Sequence, residues 1–350
     1  GVSGELDKKM KKRIAVFQYN WPIQIFTFNL IKKLCDLNMQ VDFFYDLSCE
    51  SVEYISFSTL KEAHFKPYCL SVSNSLGNKI KRKFFECHDM IESSILSQSK
   101  TIIKNKRYDL FIGIEKYGLI WAGMMAELYK VPYIYYCLEL YVEDHPLFFS
   151  CEYMNIPREM EKKYHASAAA TLISDSMRKE KLFEFNKIDQ SRSAIYIPIG
   201  VTGTPFIEKK CFLREKYKIG PDKKILLYFG NIDPSRNCTE IADSVKNRDD
   251  IVVLFHGIVK NGYEETLLKY KNIVIDTEML NEKGVDDLIS SADMGLAIYR
   301  NDYSNDRLTA FSSEKIARYC RAGLPFISFR NESYEKLGSE FKCLEMIDCF

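Results

Sequence analysis

Two doubly wound α/β domains in tandem are what this sequence predicts, and three observations predict them. The chain of 350 residues is too long for one ordinary compact domain, and its 46% hydrophobic content suffices for two cores. Almost continuously apolar runs rich in Ile, Val, Tyr and Phe alternate with helix-length amphipathic stretches. That is the pattern of parallel strands covered on both faces and joined by crossover helices. The alternation breaks once, at IPIGVTGTPF (197–206), where two Pro and two Gly fall close together, and then it restarts.

RIAVFQY (13–19) reads as the first strand. WPIQIFTFNLIKKLCDL (21–37) follows as a helix, with Ile25, Phe28 and Leu34 near helical spacing. VDFFYDL (41–47), YCLSV (68–72), YDLFIGIE (108–115), VPYIYYCLE (131–139), ATLIS (170–174) and AIYIPI (194–199) complete the strands of a domain spanning 1–203. The second domain, 204–350, takes strands from KILLYFG (224–230), IVVLFHG (251–257), NIVID (272–276), MGLAIY (294–299), LPFISF (324–329) and KCLEM (342–346). Its helices fall near 238–247, 262–270, 283–291 and 314–322. Ligands of open α/β sheets bind outside the carboxyl ends of the strands, so the loops after Glu139, Gly230, Gly257, Asp276 and Tyr299 are the places to search.

The composition removes several classes of function. A net charge of +1 gives no general attraction for nucleic acid, and no run of 18 apolar residues exists to span a bilayer. The 11 cysteines are scattered without a CxxC pair, which reads as reduced thiols in a cytoplasmic protein with no structural metal. The opening GVSGELDKKMKKR lacks the apolar core of a signal peptide and reads in part as an added leader ahead of Met10. No GKS/T phosphate loop, HExxH, GxSxG or spaced GxGxxG is present. The basic stretch NKIKRKFF (78–85) suits a solvated helix face or a peripheral contact with an anionic membrane or a lipid-linked acceptor.

Two constellations in the second half point to a bound anion. In YFGNIDPSRNCTEI (228–241) a strand ends at Gly230, where a ligand can approach the backbone, and Asn231 follows. Asn237 and Glu240 have capping-box spacing at the start of the next helix. Arg236 then stands just ahead of that helix, an unfavourable place for a cation unless a phosphate joins it. In FSSEKIARYCRAGLPFI (311–327) Ser312 or Ser313 caps a helix, Gly323 closes it and Pro325 stops it. Lys315 lies in its first turn, again opposed to the helix dipole unless Glu314 or a bound anion neutralises it. Two such starts suggest a diphosphate clamp; ordinary strand–loop–helix connections with solvated cations are the alternative.

On these residues the chain resembles the GT-B glycosyltransferases, particularly bacterial enzymes near family 4. Their second domain carries a strand–Gly–loop–Lys/Arg–helix unit and then a helix of the form S-x-K-x-x-E-Y-x-x-x-G-x-P. Ser313, Lys315, Tyr319, Gly323 and Pro325 match that register, and SADMGLAIY (291–299) looks like the strand before the donor loop. The resemblance implies two Rossmann-like domains facing each other across a cleft, with a nucleotide-sugar donor and no further cofactor. It implies that Arg236 and Lys315 hold the donor diphosphate, with Gly230, Asn231, Ser312 and Ser313 beside them and the loops after Gly257 and Asp276 near the base. The family's ribose-binding Glu is replaced here by Arg318, which cannot accept hydrogen bonds from hydroxyls, leaving Glu314 as the candidate. A second family Glu has no clear counterpart in NDYSNDRLTAF (301–311), where Asn305 and Asp306 are the polar candidates. The absence of any DxD triplet argues against the metal-dependent GT-A design.

VPYIYYCLELYVEDHP (131–146) runs from a strand into an acidic loop. Glu139 matches a Glu that related enzymes carry at this strand end. Glu139 and His145 are the candidate catalytic groups, with Glu143 and Asp144 nearby. Glu115 and Lys116 follow another strand end as candidates for the acceptor side, with Gly118 read as the start of a helix; Asp175 and Arg178 are candidates for the cleft, and a helix cap by Asp175 explains them as well. The expected activity is sugar transfer to a glycan or lipid-linked acceptor in bacterial surface-polysaccharide assembly. An epimerase of the same fold and a non-catalytic partner subunit are the alternatives. The chain stops at DCF soon after its last strand, which reads as a second domain lacking its terminal helices.

Overall fold

The computed structural model describes residues 11–19, 23–47, 57–61, 63–71, 91–145, 155–260 and 262–350. The basic stretch 78–85 lies outside them. The chain divides into two compact units, Gly1–Leu140 with Leu147–Ile197, and Tyr141–Pro146 with Pro198–Phe350.

The first unit runs β1 (Arg13–Gln18), α1 (Ile25–Asp36), β2 (Gln40–Asp46), β3 (Phe65–Leu70), α2 (Ser93–Ile103) and β4 (Leu110–Ile114). It continues with α3 (Glu115–Tyr129), β5 (Tyr133–Tyr136), α4 (Asn155–Ser167), β6 (Ala170–Ile173), α5 (Ser176–Asn186) and β7 (Ala194–Tyr196). All seven strands pair in parallel, in the order β3-β2-β1-β4-β5-β6-β7. The apolar runs become strands because they are covered on both faces: Ala15, Val16, Phe17, Phe43, Phe44 and Phe111 are all fully buried. Helix α3 begins at Glu115, with no linker after β4, rather than near Gly118. Gly118 instead lets α3 press onto β1, since a Cβ there would stand 2.4 Å from the Phe17 carbonyl oxygen. Asp175 caps α5 by accepting a hydrogen bond from the Arg178 amide, as the structural explanation of that motif requires.

The second unit contains α6 (Phe212–Tyr217), β8 (Lys224–Phe229), a 3₁₀ turn at Pro234–Arg236, α7 (Cys238–Ser244), β9 (Ile251–His256), α8 (Glu264–Leu267) and β10 (Ile273–Asp276). Then come α9 (Glu282–Ser290), β11 (Met294–Leu296), α10 (Ser304–Arg307), α11 (Glu314–Arg321), β12 (Phe326–Phe329), α12 (Glu332–Glu340) and β13 (Leu344–Ile347). Its six parallel strands lie in the order β10-β9-β8-β11-β12-β13. One apolar layer on this sheet centres on Leu227, Leu254, Leu288 and Tyr319, the other on Tyr228, Phe255, Ile241 and Leu267. Tyr319 belongs to the packing: its hydroxyl donates to the Leu227 carbonyl at 3.0 Å, and Gly295 leaves room for its ring.

The capping box expected at Asn237 does not form. Asn237 takes a left-handed conformation, φ 56°, and its side chain caps nothing. Asp233, four residues earlier, caps the 3₁₀ turn instead, with its carboxylate on the Ser235 amide. Proline at the first position of that turn favours this tighter start over the Asn-led one.

Candidate functional site

Each sheet reverses its strand order at one place, between β1 and β4 in the first unit and between β8 and β11 in the second. A ligand crevice forms at such a point because the two loops leaving neighbouring strands diverge to opposite faces.

In the second unit this point gathers the predicted cations. Helix α11 starts where expected, and the structure chooses between the two serines: Ser313 is the cap, its Oγ facing the Ile316 amide, while Ser312 Oγ donates to the Leu308 carbonyl. Ser313 Oγ also lies 2.7 Å from Tyr299 Oη. Lys315, in the first turn, carries its ammonium 4.2 Å from the Tyr228 ring centre and 4.8 Å from that of Tyr299. A Cβ placed on Gly230, where φ is 140°, would sit 3.4 Å from Lys315 Nζ, so the amine lies directly over the glycine backbone. No ion pair to Lys315 exists among the described residues. Burial first, and Arg236 second, push its amine down to about 7.

Arg236 is half-buried and pairs with Asp306, 3.2 Å from Nη1 to Oδ2. The same oxygen accepts the Tyr303 hydroxyl at 3.0 Å. Burial works against the Arg236 charge, and Asp306 together with Tyr228, Tyr299 and Tyr303 more than restores it. Helix α10, which carries Asp306, is capped from far away in sequence: Asp144 Oδ2 accepts both the Ser304 amide at 2.9 Å and the Ser304 hydroxyl at 2.6 Å. His145, almost fully buried, packs its ring against Tyr141 and Tyr303, with centroids 4.8 and 5.4 Å apart. Both Asp144 and His145 therefore belong to the second unit, while Glu139 belongs to the first.

The remaining candidates take structural partners. Glu314 faces Arg318, 2.7 Å away, and Glu282 of α9 grips the same guanidinium through two contacts of 2.9 and 3.1 Å. Arg318 is 1% exposed, and its contacts with Glu282 tie α11 to α9. Gly257 answers to the backbone beside it, because a Cβ there would fall 2.0 Å from the Gly230 carbonyl oxygen. Asn231 is exposed and its carbonyl accepts the Tyr228 hydroxyl at 2.9 Å. Past β9 and β10, the His256 ring stacks on Phe229 with its Nδ1 3.4 Å from Asp276, and Asp276 pairs with Lys216 at 3.1 Å.

In the first unit the reversal point holds Glu115. Its backbone is left-handed, φ 59°, a strained conformation for a residue with a side chain. Its carboxylate is buried, and Oε1 accepts the Leu138 and Glu139 amides at 2.6 and 2.9 Å. Burial, then the neighbouring Glu139 charge, push Glu115 up to about 8, so it carries a proton at neutral pH. β5 ends at Tyr136, so Glu139 stands half-buried in the loop after it rather than on the strand, its backbone held by a neutral carboxylic acid. Arg178 donates to the Leu138 carbonyl at 2.7 Å and fixes the same loop from α5.

The sequence could not reveal the tyrosine cage around Lys315 or the Asp144–Ser304 bond, since each joins residues distant in the chain. The polarity of NDYSND did draw attention to Asp306.

Neither a scan against protein-family models nor a search of the curated proteins finds a match. Solved structures do match. Sucrose-phosphate synthase from Thermosynechococcus elongatus superposes with a TM-score of 0.65 at 13% identity, over 91% of this chain and 81% of that one. Anabaena HepE in complex with UDP-glucose gives 0.64 at 10% identity, over 93% and 82%. A glycosyltransferase from Rickettsia africae gives 0.58 at 13% identity, over 92% and 80%. These neighbours are glycosyltransferases of the GT-B class, and the chain has their two-domain α/β fold.

Proposed function

We propose that this protein is a glycosyltransferase that takes its sugar from a nucleotide-sugar donor held by the second unit. The observation that carries the reading is the Lys315 amine. It is half-buried over the Gly230 backbone at the strand-order reversal, beside Arg236 and without a carboxylate partner among the described residues. Two cations kept close together against their mutual repulsion suit a diphosphate, whose negative charges would satisfy both. HepE has been solved with UDP and with UDP-glucose, which makes UDP the first nucleotide to test.

In this reading the donor occupies the 204–350 domain and the acceptor the 1–203 domain. As the sugar leaves, charge accumulates on the diphosphate, and Lys315 and Arg236 stabilise it without a metal being required. Glu139 acts on the acceptor hydroxyl as general base, on a loop that Glu115 and Arg178 hold in place. His145, packed on Tyr303, lies in the same unit as the donor grip. The acceptor is a glycan or lipid-linked saccharide of a bacterial surface polysaccharide, and the work is done in the cytoplasm with a peripheral membrane contact through 78–85.

Thermal unfolding with UDP, GDP, ADP, CMP and dTDP, with and without magnesium, tests the donor site. At ~100 times Kd the matching nucleotide stabilises by about 2.7 kcal/mol. That gain should disappear in Lys315→Met and Arg236→Ala. Stabilisation by none of the five removes the donor-site reading. Product formed from UDP-glucose alone, with the sugar isomerised, would make the protein an epimerase.

A further inference from the structure

The short helix α10 lacks a cap of its own. Tyr303 occupies the N-cap position and its side chain makes no capping hydrogen bond. The first-turn donors of α10 are met instead by Asp144, 160 residues away in the sequence, through the Ser304 amide and hydroxyl. The contact is reinforced by the His145 ring against Tyr303. What α10 carries is Asp306, whose carboxylate is 4% exposed and receives both the Arg236 guanidinium and the Tyr303 hydroxyl. A buried carboxylate can hold an arginine in one place only if its own backbone is held, and here the fastening comes from Asp144.

We propose that Asp144 is a positioning residue of the nucleotide site: by capping α10 it fixes Asp306, which in turn keeps Arg236 beside Lys315. The inference rests on the donor-site reading above. It gives Asp144 a task other than proton transfer, since the oxygen concerned already receives two donors. It also separates the neighbours in the acidic loop, because Glu143 takes no part in this chain of bonds.

The test titrates UDP into the full-length wild type and the Asp144→Ala, Asp144→Asn, Ser304→Ala and Arg236→Ala variants by calorimetry, well below each variant's unfolding temperature. Asp144→Ala should weaken UDP binding about five- to tenfold, the loss of one helix cap expressed in the binding constant. Asp144→Asn keeps an oxygen that can accept both donors and should stay within about twofold of wild type. Ser304→Ala removes one of the two bonds with little risk to folding and should weaken binding by roughly two- to threefold. Unchanged affinity in Asp144→Ala and Ser304→Ala, with binding lost in Arg236→Ala, overturns this inference and leaves the donor site standing. Asp144→Asn as weak as Asp144→Ala overturns the capping argument. A wild-type protein that binds none of UDP, GDP, ADP, CMP and dTDP overturns the donor-site reading and this inference with it.

Discussion

Raising the pH from 7 to 9 should weaken UDP binding about fiftyfold through a single side chain, Lys315. In the empty protein burial and the Arg236 charge bring its amine down to about 7, against 10.5 for an ordinary lysine. Bound diphosphate supplies the missing counter-charge and restores the protonated form. At pH 8 about nine-tenths of the empty protein carries a neutral Lys315, so each binding event should take up about 0.9 proton. Arg236 and Cys238, which both act on the amine, do not titrate in this window. Arg236 is raised above its already high value, and Cys238 is pushed up to about 11, mainly by burial. The terminal phosphate of UDP, with a pKa near ~6, is already ionised. Calorimetry at pH 8 in two buffers of different ionisation enthalpy counts the protons directly. An identical heat in both buffers would refute the reasoning, as would the same proton uptake in Lys315→Met. The unliganded protein shows the opposite side of the linkage. The unfolded lysine holds its proton up to about 10.5 while the folded one has lost it, so stability from this residue rises between pH 7 and 10.5. Below pH 7 the penalty for the charged form is fully present.

Three further expectations follow from packing and charge. Arg318→Met should destabilise the protein by about 2 kcal/mol in urea unfolding, a value discounted because Glu282 and Glu314 are partly exposed. Arg318→Glu should cost more, because it puts three carboxylates together. Gly257→Ala should be strongly destabilising, by about 3 kcal/mol or more, since the new methyl meets the Gly230 carbonyl oxygen and φ is 147°. Gly262→Ala, at φ 72° with open space around it, should cost only about 1 kcal/mol. Buried His165 is held neutral, its pKa brought down to about 3 mainly by burial, with Nε2 2.8 Å from the Thr171 hydroxyl. The unfolded chain takes up that proton below about 6.5, so acid should remove on the order of 4 kcal/mol between pH 6.5 and 3. His165→Gln should flatten that slope in thermal unfolding, and an unchanged slope would refute the assignment.

The central strands were legible because they are locally apolar and buried on both faces, so LFIGI or IVVLFH needs no distant information to be recognised. A serine cap at 312 or 313 was legible from a polar residue directly before an amphipathic turn, and the structure selects Ser313. Short helices such as α6 and α10 were missed because they carry too few residues to show a period. At Asn237 the local rule pointed one way and the proline-led turn before it won. In the candidate site, Lys315 and Arg236 could be singled out as charges opposed to a helix start, but what surrounds them could not. The tyrosines over Lys315 come from β8 and the loop after β11, and the partner of Ser304 comes from a loop beyond β5. Arg318 shows the limit of motif reasoning: the resemblance implies a Glu at position 318, yet the arginine there is enclosed by Glu282 from a helix that no motif includes.

The assignment of Tyr141–Pro146 to the second compact unit has a practical consequence for chimeras. A hybrid joined at a single crossover near Pro198 would inherit the loop around Asp144 from one parent and the Ser304 it caps from the other. Such a hybrid would have both sheets intact and a mismatched fastening under Arg236. A transplant that carries Tyr141–Pro146 together with Pro198–Phe350 moves both halves of that bond at once, and recombination libraries should count the chain as four segments joined at three crossovers rather than two joined at one.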